Sequence, residues 1–513
     1  MRDLRFFAPQ GEPAGPGQDK YVWAYYNVTS TTEATRLLYG ASPNFFTGDM
    51  IIDGVIRTSR ATTYTFPTTG IHLVKWRPLS SGLSGAAFRQ VQGLVMCYLP
   101  KQVTDIPSNY FYQNSNLETL VCMSPTPPTF GNFNYTFTSG CPSIIYVPYS
   151  ADHSILNAYK AATGWSSLAS RIYELCADDS IPIIFEDPVV EQICVDNFTN
   201  NNGHVSYEDA ARVSSIGNSV FATNTQITSF KELIYFTGLT SIHYSVFRAC
   251  TNLSTIGIPP TVQSIGMTGP PIEHIYISNL NSFLTLTHSS YSLTHNTPDT
   301  GAHLYVNNVE VNSIVFPEGT TSIPASCLRR IRVTSVTMPN TVTEIGAEAF
   351  GYCPLLSNVP LSTSLENLGN SCFRNCTSLT SEVSFPSTLK TIGTNVYIGS
   401  NISGSVIIPE GVTSIGTNAF RAVPLTGIVD LPSTILSIGN MAFMSLEKKA
   451  TAFIIRATTP PTLGGTSALS KIPIYVPYSS DHSILSAYQT AQYWSSYASY
   501  MSELNPDGTV PTT

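Results

Sequence analysis

Residues 412–420 read VTSIGTNAF, and close copies of this stretch recur at a step of about 23 residues. The other copies are VTEIGAEAF at 342–350, LENLGNSCF at 365–373, LKTIGTNVY at 389–397 and ILSIGNMAF at 435–443. A fixed period of this length indicates a repeat protein. Because one such repeat cannot bury its own apolar side, the pattern predicts a solenoid in which neighbouring repeats stack.

Each repeat contains two extended pieces and a turn. The aliphatic alternation in GSVIIP at 404–409 predicts a strand that ends at a proline, which has no N–H to give to a ladder. A second short strand then reaches a glycine, where we expect a tight turn, and a helical turn directs the aromatic side chain inward. The same phase occurs upstream, around Phe88 and around Phe247, so two stretches of the chain carry the repeat.

The full pattern, LxxIxIPxxVxxIGxxAFxxC, resembles the leucine-rich repeat of the BspA-like (Treponema-type) family. It is carried by LTSIHYSVFRACTNLSTIGIPPTVQSIG at 239–266 and by VTSVTMPNTVTEIGAEAFGYCPLLSNVPL at 333–361. The resemblance covers roughly residues 76–505. It implies a β-dominated leucine-rich repeat solenoid that binds other proteins or cell surfaces and has no catalytic activity.

A second, longer phrase occurs twice, as IYVPYSADHSILNAYKAATGWSSLASRIYEL at 145–175 and IYVPYSSDHSILSAYQTAQYWSSYASYMSEL at 474–504. Each copy predicts a strand followed by a helix. We expect Asp152 and Asp481 to be the N-caps of these helices. Trp165 and Trp494 are expected to cover the last repeat, so that each copy forms a closing cap and the chain contains two arrays.

These patterns divide the chain into six segments. The predicted segments are a flexible N-terminal peptide and anchor at 1–19, a small β domain at 20–75, a short leucine-rich repeat array with its cap at 76–175, a helical linker with a degenerate EF-like loop at 176–212, a long array with an insert at 267–312 and its cap at 213–505, and a tail at 506–513.

The linker contains CVDNFTNNNGHVSYEDAARV at 194–213, which resembles the calcium-loop segment that often precedes these repeats. With Gly203 as the turn glycine, the candidate ligands are Asn200, Asn202 and Asp209. Neutral amides bind a hard cation weakly. We therefore predict no bound Ca²⁺ and no other cofactor.

Three cysteines, Cys250, Cys353 and Cys376, follow the aromatic residue of their repeats by three positions. This is an inward position, where a thiol serves as a small apolar side chain. The spacing therefore predicts a structural role for them and not a redox or metal role.

Composition and motifs exclude several classes of function. Charged residues make up 11% of the chain, against about 25% in an average soluble domain, and the formal net charge of -8 argues against a nucleic-acid partner. No apolar run is long enough to span a bilayer. HExxH, GxSxG, Walker and GxGxxG motifs are all missing, so we predict no catalytic residues.

The insert, which contains GPPIEHIYISNLNSFLTLTHSSYSLTHNTPDTGAHLYVNNVEV at 269–311, interrupts the period. It is rich in aromatic, imidazole, amide and hydroxyl side chains, which suit sugars and protein epitopes. The candidate binding residues are Tyr276, His288, Tyr291 and His295. The alternative, an ordinary decorated loop, remains open.

The N-terminal sequence MRDLRFFAPQGEPAGPGQDK at 1–20 has no apolar stretch of the kind found in secretory signals. Family members on bacterial surfaces normally carry such a signal. We therefore expect a bacteriophage virion appendage of head- or tail-fibre type, which contacts a host surface protein or glycan and docks on other virion proteins through its N-terminal segment. Homo-oligomerisation stays open. The alternative is a secreted or surface-anchored bacterial adhesin that binds host proteins or glycans.

Overall fold

In the computed structural model, the chain folds into two compact units. The first consists of Arg2–Ile184 with Cys194–Ala210, and the second of Phe185–Ile193 with Ala211–Thr513. The division falls inside 176–212, the segment predicted to be a linker. The structure describes residues 21–38, 46–57, 62–78, 83, 86–137, 142–199, 203–288, 293–294, 296, 300–446 and 450–511.

The first unit is built on an eight-stranded sheet. In order across the sheet, its strands are Ile172–Glu174, Ile144–Val147, Thr119–Cys122, Leu94–Leu99, Val22–Val28, Gly70–Pro78, Phe46–Ile52 and Val55–Arg57. The first four strands pair in parallel, as stacked repeats should, and the others pair antiparallel. The strand Gly70–Pro78 runs across residue 75, where the sequence suggested the end of a separate β domain, so a single sheet includes strands from both sides of that position.

Shorter elements surround this sheet. The described part of the first unit also contains the strand pairs Thr35–Arg36 with Thr63–Tyr64 and Asp105–Ile106 with Thr129–Phe130, and the helices Phe133–Thr136, Ser154–Ala161 and Trp165–Arg171. Two further helices, Pro188–Phe198 and Tyr207–Arg212, include residues of both units.

Parallel sheets of short strands dominate the second unit. One has seven two-residue strands, Ser322–Ile323, Glu344–Ile345, Asn367–Leu368, Thr391–Ile392, Ser414–Ile415, Ser437–Ile438 and Thr462–Leu463. Another has five strands, Val406–Ile407, Val429–Leu431, Phe453–Ile455, Ile474–Val476 and Met501–Glu503. The predicted pair of strands is thus confirmed for the repeats between 406 and 463, each of which contributes one strand to both parallel sheets.

The remaining sheets of the second unit lie within residues 229–337. They are the five-stranded sheet Ser229–Phe230, Thr255–Ile258, His274–Ile277, His303–Val306 and Val309–Glu310, the three-stranded sheet Ser241–Ile242, Ser264–Ile265 and Thr287–His288, and the pair Ser313–Val315 with Ser335–Thr337. The described helices of this unit are Lys231–Tyr235, Leu280–Leu284, Ser483–Thr490 and Trp494–Tyr500.

The aromatic side chains of successive repeats form a buried stack. Ring centroids are 5.4 Å apart from Phe350 to Phe373, from Phe373 to Tyr397 and from Tyr397 to Phe420, and 5.1 Å apart from Phe420 to Phe443. Complete burial of such a side chain contributes about 1.5–3 kcal/mol. The predicted inward direction of the aromatic residue is therefore confirmed, and the stack runs through the core of the array.

The repeat glycine has a different role from the one expected. Gly416 does not adopt a positive φ, so it is not needed for a strained turn. A Cβ at this position would lie 2.5 Å from main-chain atoms of Gly393 and Thr394 in the preceding repeat. The left-handed conformation falls instead on Asn418, two residues later, with φ 57°. The glycine is therefore required for close stacking of repeats, and the expectation of a glycine turn was wrong.

The three repeat cysteines are buried, as the sequence predicted. Cys353 Sγ donates to the carbonyl of Leu328 at 2.9 Å, and Cys376 Sγ to the carbonyl of Phe350 at 3.1 Å. Cys250 Sγ donates to the carbonyl of Phe221 at 3.1 Å. Each thiol thus bonds to the preceding repeat in addition to filling the core.

Candidate functional site

Two adjacent parallel strands of the second unit display aromatic and imidazole rings on one face. In the register of His274–Ile277 with His303–Val306, His274 lies opposite His303 and Tyr276 opposite Tyr305. These four side chains are half-buried, whereas the alternate residues Ile275, Ile277 and Leu304 are buried on the other side of the sheet. The alternation follows from the two-residue period of a strand. We call His274, Tyr276, His303 and Tyr305 the aromatic–imidazole face.

The rings of this face stack across the two strands. The tyrosine centroids are 4.6 Å apart with planes 9° from parallel, and the imidazole centroids are 5.3 Å apart with planes 24° from parallel. Tyr305 Oη also lies 3.4 Å from His274 Nδ1. The face therefore presents ring edges, hydroxyls and imidazole nitrogens at fixed spacing.

A glycine in the neighbouring strand allows a lysine to cover one side of the aromatic–imidazole face. Gly257 lies opposite Tyr276, and a Cβ there would collide with the carbonyl oxygen of Lys231. The short helix Lys231–Tyr235 therefore packs directly over the sheet. As a result the Lys231 ammonium lies 4.1 Å from the centroid of the Tyr276 ring, a favourable cation–π contact.

Charged groups border the face at both sides. Lys231 Nζ lies 3.4 Å from a carboxylate oxygen of Glu186, and His303 Nδ1 lies 2.5 Å from Glu310 Oε1. Burial, with a smaller effect of Glu186, raises the pKa of Tyr276. Burial, followed by the charge of Glu310, raises the pKa of Tyr305. Both phenols therefore remain protonated at neutral pH and can donate hydrogen bonds to a ligand.

The four binding candidates from the insert have different positions. Tyr276 belongs to the aromatic–imidazole face. His288 ends a strand of the three-stranded sheet, not of the sheet that carries the face. Burial, and secondarily the charge of Arg329, lowers the pKa of His288 to about 4, so its imidazole is neutral at pH 7. Tyr291 and His295 lie outside the described residues.

The sequence prediction missed His303 and Tyr305. The signal that could have found them is the shared spacing His-x-Tyr in HIYI at 274–277 and HLYV at 303–306. Both segments alternate apolar and polar residues, as half-buried strands do. Their pairing register was not predictable because the insert interrupts the repeat period between them.

The candidate calcium loop is described only in part. Asn200 and Asn202 lie outside the described residues. Asp209 is buried, and its Oδ2 accepts hydrogen bonds from the N–H and the hydroxyl of Ser206, at 3.1 and 2.8 Å. Asp209 therefore caps its own helix, Tyr207–Arg212. Among the described residues, no group of three or more His, Cys, Asp or Glu side chains is arranged to hold a metal ion.

The twice-repeated phrase has the same local structure in both copies. The indole N–H of Trp165 donates to the carbonyl of Pro128 at 2.7 Å, and that of Trp494 donates to Pro461 at the same distance. Both tryptophans are buried. Each ring meets a helix tyrosine edge-on at 5.0 Å, Tyr159 in the first copy and Tyr488 in the second.

The expected N-caps of these helices were placed one residue too early. His153, in the left-handed region with φ 55°, precedes the first helical residue, and His482 does so in the second copy. Asp152 Oδ1 still accepts the N–H of Ser154 at 3.1 Å, and Asp481 Oδ1 that of the corresponding serine. Each aspartate therefore accepts the N–H of the first helical residue, although it lies one position before the N-cap.

A glutamate near the end of each copy makes the same contacts in both. Glu174, whose side chain is 1% exposed, lies 2.5 Å from His153 Nδ1 and accepts the N–H and hydroxyl of Ser150 at 3.3 Å. The second copy repeats these contacts with His482, Ser479 and Glu503. In both copies the serine donates to the carboxylate and not to the imidazole. The set therefore lacks the serine–histidine bond that activates a nucleophile.

Comparison with a family model assigns the repeats. The model for the BspA type leucine-rich repeat region matches residues 62–159, 172–286, 299–426 and 401–459, which together are more than half of the chain. The chain belongs to the BspA-type leucine-rich repeat family. Its matched segments include the aromatic–imidazole face and the buried aromatic stack. Comparison with curated protein sequences gives no significant match.

Several solved structures are similar to this BspA-type chain. The pneumococcal vaccine antigen PcpA is 14% identical, with a TM-score of 0.33 over 52% of this chain and 76% of that one. A leucine-rich cell surface protein from Faecalibacterium prausnitzii A2-165 is 18% identical, with a TM-score of 0.27 over 81% and 87%. A leucine-rich repeat protein from Eubacterium ventriosum is 15% identical, with a TM-score of 0.28 over 47% and 82%.

The helices of this BspA-type chain are short. In the part that the structure describes, none combines the length and the apolar character needed to cross a bilayer.

Proposed function

We propose that the chain is a non-enzymatic, adhesin-type binding protein that contacts a protein or glycan on another cell through the aromatic–imidazole face. Membership of the BspA-type family supports a binding role, because stacked repeats form a large, rigid surface without chemistry of their own. The observation that carries the proposal is the face itself. Four half-buried rings from two paired strands are held in fixed positions by stacking.

The geometry of the rings favours a particular mode of contact. Both faces of the Tyr276 ring are covered, by Lys231 on one side and Tyr305 on the other. A flat sugar therefore cannot stack on that ring. Ring edges, hydroxyls and imidazoles remain available, and these groups suit polar and apolar contacts with a protein surface. Among the two ligand classes, the proposal therefore prefers a protein.

The location of the chain is a separate part of the proposal. We place it on a bacterial surface or outside the cell, in keeping with the family. The virion appendage expected from the N-terminal sequence would use the same binding face but attach it to a particle. Mass spectrometry of purified phage particles and of bacterial surface fractions separates the two, because the chain should occur in the surface fraction and not in particles.

An array experiment tests the binding role. The labelled full-length chain is applied to immobilised host extracellular proteins and to printed glycans. The variant Tyr276→Ala with Tyr305→Ala should lose binding, because burial of two aromatic side chains at an interface dominates its affinity. Tyr478→Ala is the matched control, since Tyr478 is an exposed tyrosine that lies outside the face. A chain that binds no array member, or a double variant that binds like the wild type, would refute the proposal.

A further inference from the structure

One row of turns in the second unit concentrates positive charge in an acidic chain. The whole chain has 33 acidic residues against 25 Lys and Arg. Five arginines lie in the segments that begin at the core side chain of five successive repeats, LRRIR at 328–332, FGYCP at 350–354, FRNCT at 373–377, YIGSN at 397–401 and FRAVP at 420–424. These segments contain no acidic residue. Their arginines are therefore not balanced by acids of the same turns.

The turns of successive repeats lie side by side. Arg330 N donates to the carbonyl of Gly351 at 3.0 Å, and Tyr352 N donates to that of Arg374 at 2.6 Å. The residue that follows the core side chain is, in order along the array, Arg329, Gly351, Arg374, Ile398 and Arg421. Arginine thus occupies every second repeat of this row, at about twice the 5.4 Å step between stacked rings.

A tyrosine in this row gathers three guanidinium groups. The Cζ atoms of Arg329, Arg330 and Arg374 lie 5.0, 4.8 and 5.4 Å from the centroid of the Tyr352 ring. Each contact is a favourable cation–π interaction, whereas the three like charges repel one another. Gly351 lies between Arg329 and Arg374 in the row and has no side chain to separate them. The ring therefore holds together charges that repulsion would otherwise spread apart.

The arginines of the row differ in how their charge is met. Arg329 is buried, and its Nε donates to Glu348 Oε2 at 2.8 Å. Arg374 and Arg421 are half-buried, and in the described part of the chain no carboxylate lies within 4.0 Å of either guanidinium. The Nε of Arg374 is buried and has no hydrogen-bond partner among the same residues. Arg374 and Arg421 therefore retain charge for a ligand.

We propose that this row binds an acidic segment of a partner protein. We call Arg330, Tyr352, Arg374 and Arg421 the arginine edge. A guanidinium group presents a planar fork of N–H donors that matches a carboxylate in a bidentate pair. Successive carboxylates of the segment pair with Arg374 and with Arg421, and the neighbouring arginines at Tyr352 add to the attraction.

The charge of the rest of the chain favours a short acidic segment over a long polyanion. The formal net charge is -8, so a polysaccharide or nucleic acid that is charged along its whole length is repelled where it extends beyond the arginine edge. A protein segment with a few carboxylates avoids this repulsion. The arginine edge shares no residue with the aromatic–imidazole face, so the inference goes beyond the proposed function and each can fail without the other.

Two peptides of equal length test the site. The probe is a labelled, end-capped decaglutamate, and a decaglutamine with the same label is the neutral reference. Binding to the full-length chain is measured by fluorescence anisotropy. Decaglutamate should bind saturably at low salt and be released at high salt, because salt screens exposed charges. Arg374→Gln should weaken its binding about tenfold or more, the loss expected when a charge-assisted hydrogen bond is removed.

Arg248→Gln is the matched control. Arg248 follows Phe247 at the same position of its repeat, is exposed and lies outside the arginine edge, so this variant should bind like the wild type. The comparison of the two peptides on the wild-type chain does not depend on how a variant folds. Absence of saturable decaglutamate binding, equal binding of decaglutamine, equal affinity of Arg374→Gln and Arg248→Gln, or tighter binding of heparin than of decaglutamate would each overturn the proposal.

Discussion

Replacing Gly416 with alanine should destabilise the second unit. The new Cβ would lie 2.5 Å from the carbonyl carbon and oxygen of Gly393 and from the nitrogen of Thr394, about 1 Å closer than an ordinary contact. These are main-chain atoms and cannot rotate away. The two repeats must therefore separate locally, which also strains the hydrogen bond from Gly416 N to Ile392 O, now 2.8 Å.

The expected cost can be estimated from these contacts. Overpacking costs about 1–3 kcal/mol, and a lost hydrogen bond about 1 kcal/mol. Reduced freedom of the unfolded chain returns about 0.4–1 kcal/mol when glycine becomes alanine. We therefore expect Gly416→Ala to lower the free energy of unfolding by about 1–3.5 kcal/mol.

Gly217 offers a matched control at the same position of the motif, in SSIGNSVF at 214–221. A Cβ there would meet only Val220 Cγ2, at an ordinary 3.5 Å. Gly217→Ala should therefore be neutral or stabilise by up to about 1 kcal/mol. Native-state hydrogen exchange on peptides that cover 391–440 measures local opening for Gly416→Ala, and peptides around 214–221 do so for the control. If the two variants shift their opening free energies equally, close stacking is not the reason for the glycine.

Two further predictions concern buried polar groups of the second unit. Trp494→Phe removes the indole N–H that donates to the carbonyl of Pro461 at 2.7 Å. The free energy of unfolding should therefore fall by about 1–3 kcal/mol, as measured by urea denaturation. An unchanged urea midpoint would contradict this. Burial raises the pKa of Glu232 from 4.5 to about 7. The folded state thus binds more protons than the unfolded state between these values, and stability should fall as pH rises from about 4.5 to 7. Glu232→Gln should reduce this fall, as seen in melting temperatures at pH 5 and pH 7.5; an equal fall in both proteins would disprove the assignment.

The repeat architecture could be predicted because its signals are local and recur. The aliphatic residues of the short strands and the aromatic residues of the stack recur at a step of about 23 residues, and they are buried for the same reason. The recurrence of the repeat glycine was equally apparent from the sequence, but the physical reason for it was not. A sequence shows that glycine recurs, whereas only the structure distinguishes a positive φ from the close approach found at Gly416.

The candidate site was only partly predictable. Tyr276 was identified from the composition of the insert, but its partners depend on the register with His303–Val306, which no period specifies. The missing information was which segments pair, and pairing across more than 20 residues is a property of the packed array.

The decisive measurement for the role of the aromatic–imidazole face is the equilibrium affinity for the strongest array ligand, compared among three proteins. The three are the wild type, the double variant Tyr276→Ala with Tyr305→Ala, and Tyr478→Ala, with circular dichroism as the check of folding. If the aromatic–imidazole face binds the ligand, the double variant binds at least about tenfold more weakly, as expected for loss of a hot spot, while Tyr478→Ala binds like the wild type. A folded double variant with unchanged affinity would contradict it.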